Sequence, residues 1–314
     1  MRADTVRFVA ADEPADVSVV VVTYNNSHDL PGLVTDLRHC ARRLTLRMIV
    51  VDNDSADDTA EVAAEHEDII LVRSGGNLGY AGGINRARPH IGRCSAVLIL
   101  NADLRIPDDA IEAMFAVLTL PRVGVVVPRM VDGNDALDLT LRREPSIAAA
   151  LGDAVMGRRL VNRPGWSSET VLRLSKYRQS HAVDWATGAA LLIRAEVEEA
   201  VGDWNEEYFL YSEETEFFRR VRAGGHQVLF EPSAVVKHRG AGSGSSPALA
   251  ALLAVNRVRY VERHHGWLYS AAFRGAVALA EALRASTSVH RTTLAVVLKR
   301  ARWADLPKAS KSAE

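Results

Sequence analysis

The sequence predicts an α/β protein: a mostly parallel central sheet with helices on both faces, followed by a helical C-terminal tail. Three features carry this expectation. Apolar runs such as VSVVVVTY (17–24) and AVLILNAD (96–103) are nearly continuous and rich in β-branched residues, as strands buried on both faces require. Amphipathic stretches of helical length separate them, the alternation that crossovers between parallel strands produce. Four of the runs end in clusters of Asn, Asp, Thr or Gly, and in open sheets of this type ligands bind outside the carboxyl ends of the strands.

In order, the strand at 17–24 is followed by a helix over about 30–44. RMIVVDN (47–53) is the second strand, with a helix from about 57 to 65. IILVR (69–73) is the third, and NLGYAGGINRA (77–87) opens a helix after a glycine-rich turn. The fourth strand, 96–103, precedes a helix at about 108–119 and a fifth strand, VGVVVPRM (123–130). Residues 131–180 are Arg-rich and less regular. ATGAALLIR (186–194) resumes a buried strand, and a helix over about 212–223 is stopped by Gly224-Gly225. HQVLFEPSAVVKH (226–238) supplies one or two further short strands, and GAGSGSSP (240–247) is a flexible break before an Ala-rich, basic helical tail. The expected division is an N-terminal extension (1–16), an α/β domain (17–240, its halves meeting near 130) and a helical C-terminal region (241–314).

At 314 residues, 48% hydrophobic and 25% charged, the chain has the make-up of a folded protein able to bury a substantial core. A net charge of −1 gives no pull toward nucleic acid, so none is expected as a partner. Cys40 and Cys94 are far apart and lack metal-ligand spacing, which fits a reducing, cytoplasmic setting. MRADTVRFVAADEPAD (1–16) has no apolar leader core, and no apolar run approaches the roughly 18 residues of a spanning helix.

The strand-end clusters are Thr23-Tyr24-Asn25, Asp52-Asn53-Asp54, Gly75-Gly76-Asn77 and Asn101-Ala102-Asp103. Any one of them is ordinary turn chemistry. Four at one rim describe a polar pocket. The glycine pattern lacks the acidic residue that a dinucleotide fingerprint places about 20 residues on, which argues against a dehydrogenase. In order and spacing, VVVTYNN, VVDNDSADDT, GGNLGYAGGINRA, LILNADLRIP and YFLYSEETEFFRR resemble the inverting family 2 glycosyltransferases, over roughly residues 17–265. Within that family the chain is similar to the bacterial rhamnosyltransferase-type members.

The resemblance implies the GT-A fold, with a Rossmann-like, mostly parallel central sheet. It also implies roles. Asp52 would accept N3–H of a uracil or thymine base, while Thr23, Tyr24 and Asn25 line base and ribose. Asn77, Gly79 and Asn85 belong to the motif that lets backbone approach the nucleotide sugar. Asn101, Ala102 and Asp103 stand where the family carries its D-x-D or N-P-D motif, and Asp103 with His238 would hold Mg²⁺ or Mn²⁺ against the donor diphosphate, a cation that takes one or two carboxylates plus substrate phosphates. Here one carboxylate replaces two and Ala replaces Pro. Trp185, Thr187 and Gly188 would form the floor for acceptor and donor sugar, with Trp204, Tyr208 and Phe209 as walls. The implied donor is an NDP-sugar, dTDP-L-rhamnose or a UDP-sugar, and the implied acceptor a glycan, lipid-linked precursor or small molecule.

The helix start YSEETEFFRR (211–220) carries three carboxylates. Helical spacing puts Glu214 on one face with Phe217, Phe218 and Val221, sets Glu216 in an exposed pair with Arg220, and leaves Glu213 on the flank. Glu214 occupies the family's E-D-x-D base position, with Glu for Asp, so both Glu214 and Glu213 are candidates for the catalytic base. The basic amphipathic tail reads either as helices packed on the catalytic domain or as a membrane-surface contact. Peripheral membrane contact and homodimerisation stay open. Two rivals are a nucleotidyltransferase, which needs an early Gly-rich phosphate loop that VVTYNNSHDL lacks, and a binding protein that has lost catalysis.

Overall fold

The computed structural model of the chain describes residues 6–157, 160, 163–239 and 246–310. Strand β1 (Ala15–Thr23) leads through helix α1 (Leu30–Cys40) to β2 (Leu46–Asp52), and through α2 (Thr59–Ala64) to β3 (Ile69–Arg73). Helix α3 (Gly79–Ala87) returns the chain to β4 (Cys94–Asn101), followed by β5 (Leu104–Arg105), α4 (Ala110–Leu118) and β6 (Val123–Val131). The Arg-rich stretch holds β7 (Leu141–Arg142) and α5 (Ile147–Met156), whose Ser146 Oγ accepts from Ala149 N as an N-cap. Then come β8 (His181–Val183), β9 (Trp185–Ala186), β10 (Ala190–Arg194), α6 (Ala195–Val201) and α7 (Glu213–Ala223). HQVLFEPSAVVKH is one long strand, β11 (Gln227–His238), with a register slip between Glu231 and Val235. The expected flexible break falls on residues 240–245, which lie outside the described residues. Helices α8 (Pro247–His264), α9 (Trp267–Leu283) and α10 (Ser288–Leu298) follow, and a 3-10 helix over Arg300–Asp305 comes after them.

The sheet runs β3-β2-β1-β4-β10-β6-β11-β5, with β8 also paired to β11. Strands β3, β2, β1 and β4 are parallel neighbours, while β10 inserts antiparallel between β4 and β6. Register then assembles the rim. Thr23 pairs with Asp52 and Val22 with Asn101, so the polar ends of three strands finish level. At the other side, the antiparallel pairing of β11 with β5 sets His238 opposite Leu104, next to Asp103.

One face of the sheet packs on α1 and α4, the other on α3 and α7 with Trp204. Trp204 stacks on Phe217 at 4.2 Å and is 2% exposed, so it is core rather than the pocket wall expected of it. The N-terminal residues are fastened down as well. Phe8 is buried and the Val9 amide donates to Leu46 O at 2.9 Å. The fully buried Arg47 guanidinium donates to the carbonyls of Ala10, Glu13, Ile91 and Arg93.

A third apolar cluster joins α8, α9 and α10 to Ala150 of α5 and to Tyr208. The tail therefore packs onto the α/β unit, and Tyr208 belongs to that junction. No helix among the described residues is long and apolar enough to cross a membrane.

Candidate active site

A cavity of about 370 Å³ opens at the carboxyl rim, lined by Thr23, Tyr24, Asn53, Asn77, Gly79, Asn101, Ala102, Asp103 and His238. All four strand-end clusters contribute to its surroundings. Tyr24 is 51% exposed, free to present its ring. Asp52 lies behind, 4% exposed, with Oδ2 accepting from Ser55 N at 3.3 Å and Oδ1 buried without a partner among the described residues. Asn53 builds the glycine turn: its Nδ2 donates to Gly79 O at 2.9 Å, and its Oδ1 accepts from Leu78 N. Gly79 has φ +74°, and a Cβ there would lie 2.1 Å from Phe209 O, so two separate constraints demand glycine. Asn25 and Asn85 depart from expectation. Asn25 does not line the cavity, and its Oδ1 accepts from Ala56 N. Asn85 bonds Trp204 through both amide atoms and Glu206 through Nδ2, fastening α3 to the 204–206 segment instead of facing the cavity.

Asp103 and His238 meet as the register requires, with His238 Nε2 3.2 Å from Asp103 Oδ2. The hydrogen bond to Asp103 raises the imidazole above its ordinary value. One carboxylate and one imidazole in a polar cavity suit a divalent cation that takes its remaining ligands from a diphosphate. Among the described residues no cluster of three or more His, Cys, Asp or Glu forms a complete protein cage, so the donor set fits a cation bound together with substrate.

Tyr80 connects this cavity to a second one. It lines the first, and its hydroxyl donates to Gly188 O at 2.9 Å. A Cβ on Gly188 would sit 3.5 Å from both Tyr80 Cε1 and Glu214 Cβ, in ordinary van der Waals contact with each, so Gly188 lies directly between the two side chains. Burial, then the charges of Glu213, Glu214 and Asp103, push the Tyr80 phenol well above its ordinary value, so it stays protonated. Beyond Gly188 lies a concavity of about 480 Å³ whose lining includes Arg142, Trp185, Thr187, Ser212, Glu214 and Arg257. Trp185 is held edge-on by Nε1–H donating to Arg143 O at 2.8 Å.

Helix α7 corrects the face assignment. Glu213 and Glu216 are the buried acids, 3% and 5% exposed, while Glu214 is partly accessible and lines the concavity. The Glu216–Arg220 pair is real but sheltered, with Arg220 Nε 2.9 Å from Oε2 and its other nitrogens on Val201 O and Asp203 O. Glu213 is held well above its ordinary value by burial and by the neighbouring charge of Glu214. Burial also raises Glu214, to about 7, against the backbone amides of the helix start and Arg142, which favour its anion. Both carboxyl groups are thus raised by burial, and only Glu214 has backbone amides and Arg142 working to favour its anion.

The segment before α7 is strained. Phe209, Tyr211 and Ser212 all have positive φ, at 60°, 71° and 73°, each costing on the order of 1–3 kcal/mol. What holds it is Asn256 of α8, 0% exposed, whose Nδ2 lies 2.7, 2.9 and 3.1 Å from the carbonyl oxygens of Tyr208, Leu210 and Tyr211. Phe209 O accepts from Tyr80 N at 2.7 Å. The segment lines both spaces, Phe209 and Leu210 the first and Tyr211 and Ser212 the second. Sequence reasoning missed Tyr80, Arg142 and Asn256, none of which stands in a turn cluster or on the apolar stripe that was read. The Gly-Tyr pair at 79–80 was the one available signal.

Comparison with known proteins identifies the family and the fold. The family model "Glycosyl transferase family 2" matches residues 18–189. An N-acetylglucosaminyl-diphospho-decaprenol L-rhamnosyltransferase of Mycobacterium tuberculosis is 28% identical over 293 residues, 87% of this chain and 94% of that protein. The low-salt glycan biosynthesis hexosyltransferase Agl10 of Haloferax volcanii is 28% identical over 218 residues, 66% of this chain and 62% of that protein. Among solved structures, a mannosyltransferase of Pyrobaculum calidifontis in complex with GDP-Man and Mn²⁺ superposes with a TM-score of 0.54 at 18% identity, over 96% of this chain and 83% of that one. A matched segment that runs from the first strand to Ala189, more than half of the chain, on a GT-A sheet, settles the family: the chain is a glycosyltransferase enzyme and belongs to glycosyl transferase family 2.

Proposed function

We propose that the chain moves a sugar, L-rhamnose from dTDP-rhamnose, onto a hydroxyl of a lipid-linked glycan precursor with inversion at the anomeric carbon. The observation that carries the reading is the position of Gly188 between Glu214, which lines one space, and Tyr80, which lines the other together with Asp103 and His238. The rhamnosyl donor and diphospholipid acceptor rest on the mycobacterial relative's activity and its 94% coverage.

The nucleotide occupies the 370 Å³ cavity, with Tyr24 against the base and the orphaned Asp52 Oδ1 left to accept its N3–H. Asp103 and His238 hold Mg²⁺ or Mn²⁺, which when bound supplies positive charge at the donor diphosphate. The acceptor sugar lies in the 480 Å³ concavity against Trp185 and Thr187. Its hydroxyl gives its proton to the Glu214 carboxylate as the oxygen attacks the anomeric carbon. The bond from that carbon to the diphosphate breaks on the opposite face, and the nucleoside diphosphate leaves with the electron pair. Glu213, protonated beside Glu214, keeps a second negative charge out of the site. Tyr80 fixes the Gly188 carbonyl between the two spaces.

Donor choice is read by thermal shift with dTDP-, UDP- and GDP-sugars. A ligand at 100 times its Kd stabilises the fold by about 2.7 kcal/mol. dTDP-rhamnose with Mn²⁺ raises Tm by several degrees, and Asp103→Ala removes the metal-dependent part. An equal response of wild type and variant to Mn²⁺ plus donor would displace the cation from Asp103. Transfer itself is followed by mass spectrometry of a short-chain N-acetylglucosaminyl-diphospholipid incubated with each donor. Transfer from a UDP- or GDP-sugar but not from dTDP-rhamnose overturns the donor assignment.

A further inference from the structure

Beside the Glu214 concavity lies a smaller one, of about 140 Å³, lined by Arg143, Arg163, Gly165, Ser168, Thr170, Arg173 and Lys176. Thr170 is shared between the two spaces. The consecutive residues Arg142 and Arg143 divide between them, the first lining the larger space and the second the smaller. The volume is that of a handful of waters at about 30 Å³ each, enough for a phosphate group and too little for a second sugar.

Its chemistry is one-sided. Four cationic side chains line it and no carboxylate does. Arg163 is neutralised by Asp153, and its side chain is 4% exposed, yet its Nε is buried without an acceptor among the described residues. Arg143, Arg173 and Lys176 have no ion-pair partner among the described residues. Arg143 is the telling one. It is partly buried, and its Nη1 donates at 3.1 Å to the carbonyls of Ser168 and Thr170, which orient the guanidinium without cancelling its charge. A Cβ on Gly165 would sit 3.0 Å from Arg143 Nη2, so glycine leaves the guanidinium room. A partly desolvated cation set in place by dipoles and lacking an anion is costly unless a ligand provides one. At the rim, Trp166 and Leu174 are 67% and 59% exposed, next in sequence to Gly165 and Arg173.

We propose that this concavity is the subsite for the acceptor's diphosphate, with Arg143 and Arg163 gripping the phosphate oxygens, Arg173 and Lys176 closing over them, and Trp166 and Leu174 meeting the start of the lipid chain. The assignment rests on the proposed diphospholipid acceptor and places its parts in chemical order: sugar hydroxyl at Glu214, diphosphate across Thr170, lipid at the apolar rim. Charge-assisted bonds from guanidinium to phosphate are among the strongest available to such a ligand.

The test uses Arg173→Gln/Lys176→Gln, both positions exposed and joined only by the Lys176 N to Arg173 O backbone bond that the substitutions keep, in the full-length enzyme. Two acceptors are compared: an N-acetylglucosaminyl diphosphate carrying a short polyprenyl chain, and an alkyl N-acetylglucosaminide without phosphate. KM for the diphosphate acceptor rises about tenfold, kcat at saturation stays within twofold, and the alkyl glycoside shows the same kinetics with both enzymes. Equal changes for both acceptors, or no change for the first, overturn the proposal. Co-sedimentation with phosphatidylglycerol vesicles separates a bilayer headgroup from the acceptor: lost vesicle binding with an unmoved acceptor KM assigns the pocket to the bilayer, against the proposal. Inorganic diphosphate binding in EDTA, measured by calorimetry with the donor cavity filled by nucleotide, reads the anion site without turnover. If binding weakens about tenfold in the variant while no acceptor is glycosylated, the subsite stands and the acceptor reading fails. If wild type and variant bind equally, or neither binds, the subsite fails.

Discussion

Glu214→Gln lowers kcat by about 10²- to 10⁴-fold, the usual contribution of a positioned general base. The amide preserves shape and donor binding, so the nucleotide-sugar Kd stays within about twofold while the proton has nowhere to go. Wild-type kcat/KM rises with pH through about 7, because Glu214 must be ionised to act. In the variant that limb disappears. Glu213→Gln separates the two candidates left open by sequence. Burial and the charge of Glu214 raise Glu213 and favour its neutral form, so its amide replacement leaves most of the activity in place. A loss from Glu213→Gln matching that from Glu214→Gln would move the base to Glu213. The pair interacts, so the measured limb belongs to both carboxyls in two macroscopic steps.

Stability gives an independent reading of the same group. The folded-state value of Glu214, about 7, lies above the ordinary 4.5, so folding favours its protonated form. That contribution is complete below about 4.5 and is lost as pH rises through about 7. Glu214→Gln, uncharged throughout, therefore melts at a higher temperature than wild type at pH 8 and at nearly the same temperature at pH 5. Calorimetry at the two pH values checks it. A variant that melts lower at pH 8 would mean that the carboxylate is stabilised in place and is not raised.

The strands of the nucleotide half were legible because strands buried on both faces carry continuous β-branched runs, and the rim was legible because four polar clusters end them. The antiparallel direction of β10 was not, since a strand covered on both faces looks the same whichever way it runs. The two-residue strands β7 and β9 are too short for any period to show. The Asp103–His238 pair came from the family motif, and the pairing of β5 with β11 supplies its physical cause. The glutamate faces were misread for an identifiable reason. One apolar stripe implies one exposed face, but α7 is covered nearly all round. Phe217 and Phe218 face the sheet core and Glu216 with Arg220 meets the 201–203 loop. Arg219 and Arg222 share Glu144 with the hydroxyl of Tyr260 on α8. A helix enclosed this way shows solvent only where a pocket reaches it, and at the start of α7 that place is Glu214.

The same enclosure ties the C-terminal helices to the segment that leads into α7, and Asn256 is where an effect of that tie on turnover is measurable. Asn256→Asp keeps the shape and removes the amide donors from three carbonyls that hold 208–212 in its left-handed turns. Arg259 Nη1, which donates to Asn256 Oδ1 at 3.0 Å, fixes which atom faces the carbonyls, so rotation of the amide cannot substitute. Each buried carbonyl left unmatched costs about 1–3 kcal/mol, and relaxation of Phe209, Tyr211 and Ser212 offsets part of that by releasing strain. The relaxed loop moves the first turn of α7, and a displacement near 1 Å at the base lowers kcat about 10²-fold. A purely structural role would lower Tm and leave turnover per folded molecule unchanged. The measurement is therefore kcat normalised to folded enzyme, well below Tm, with the pH limb recorded alongside. The expected variant binds donor, melts lower, turns over about 10²-fold more slowly and shows a displaced limb, because the helix-start amides that favour the Glu214 anion move with the loop. Asn256→Asp with kcat within about threefold of wild type and the limb still near 7 would confine Asn256 to holding the helices together.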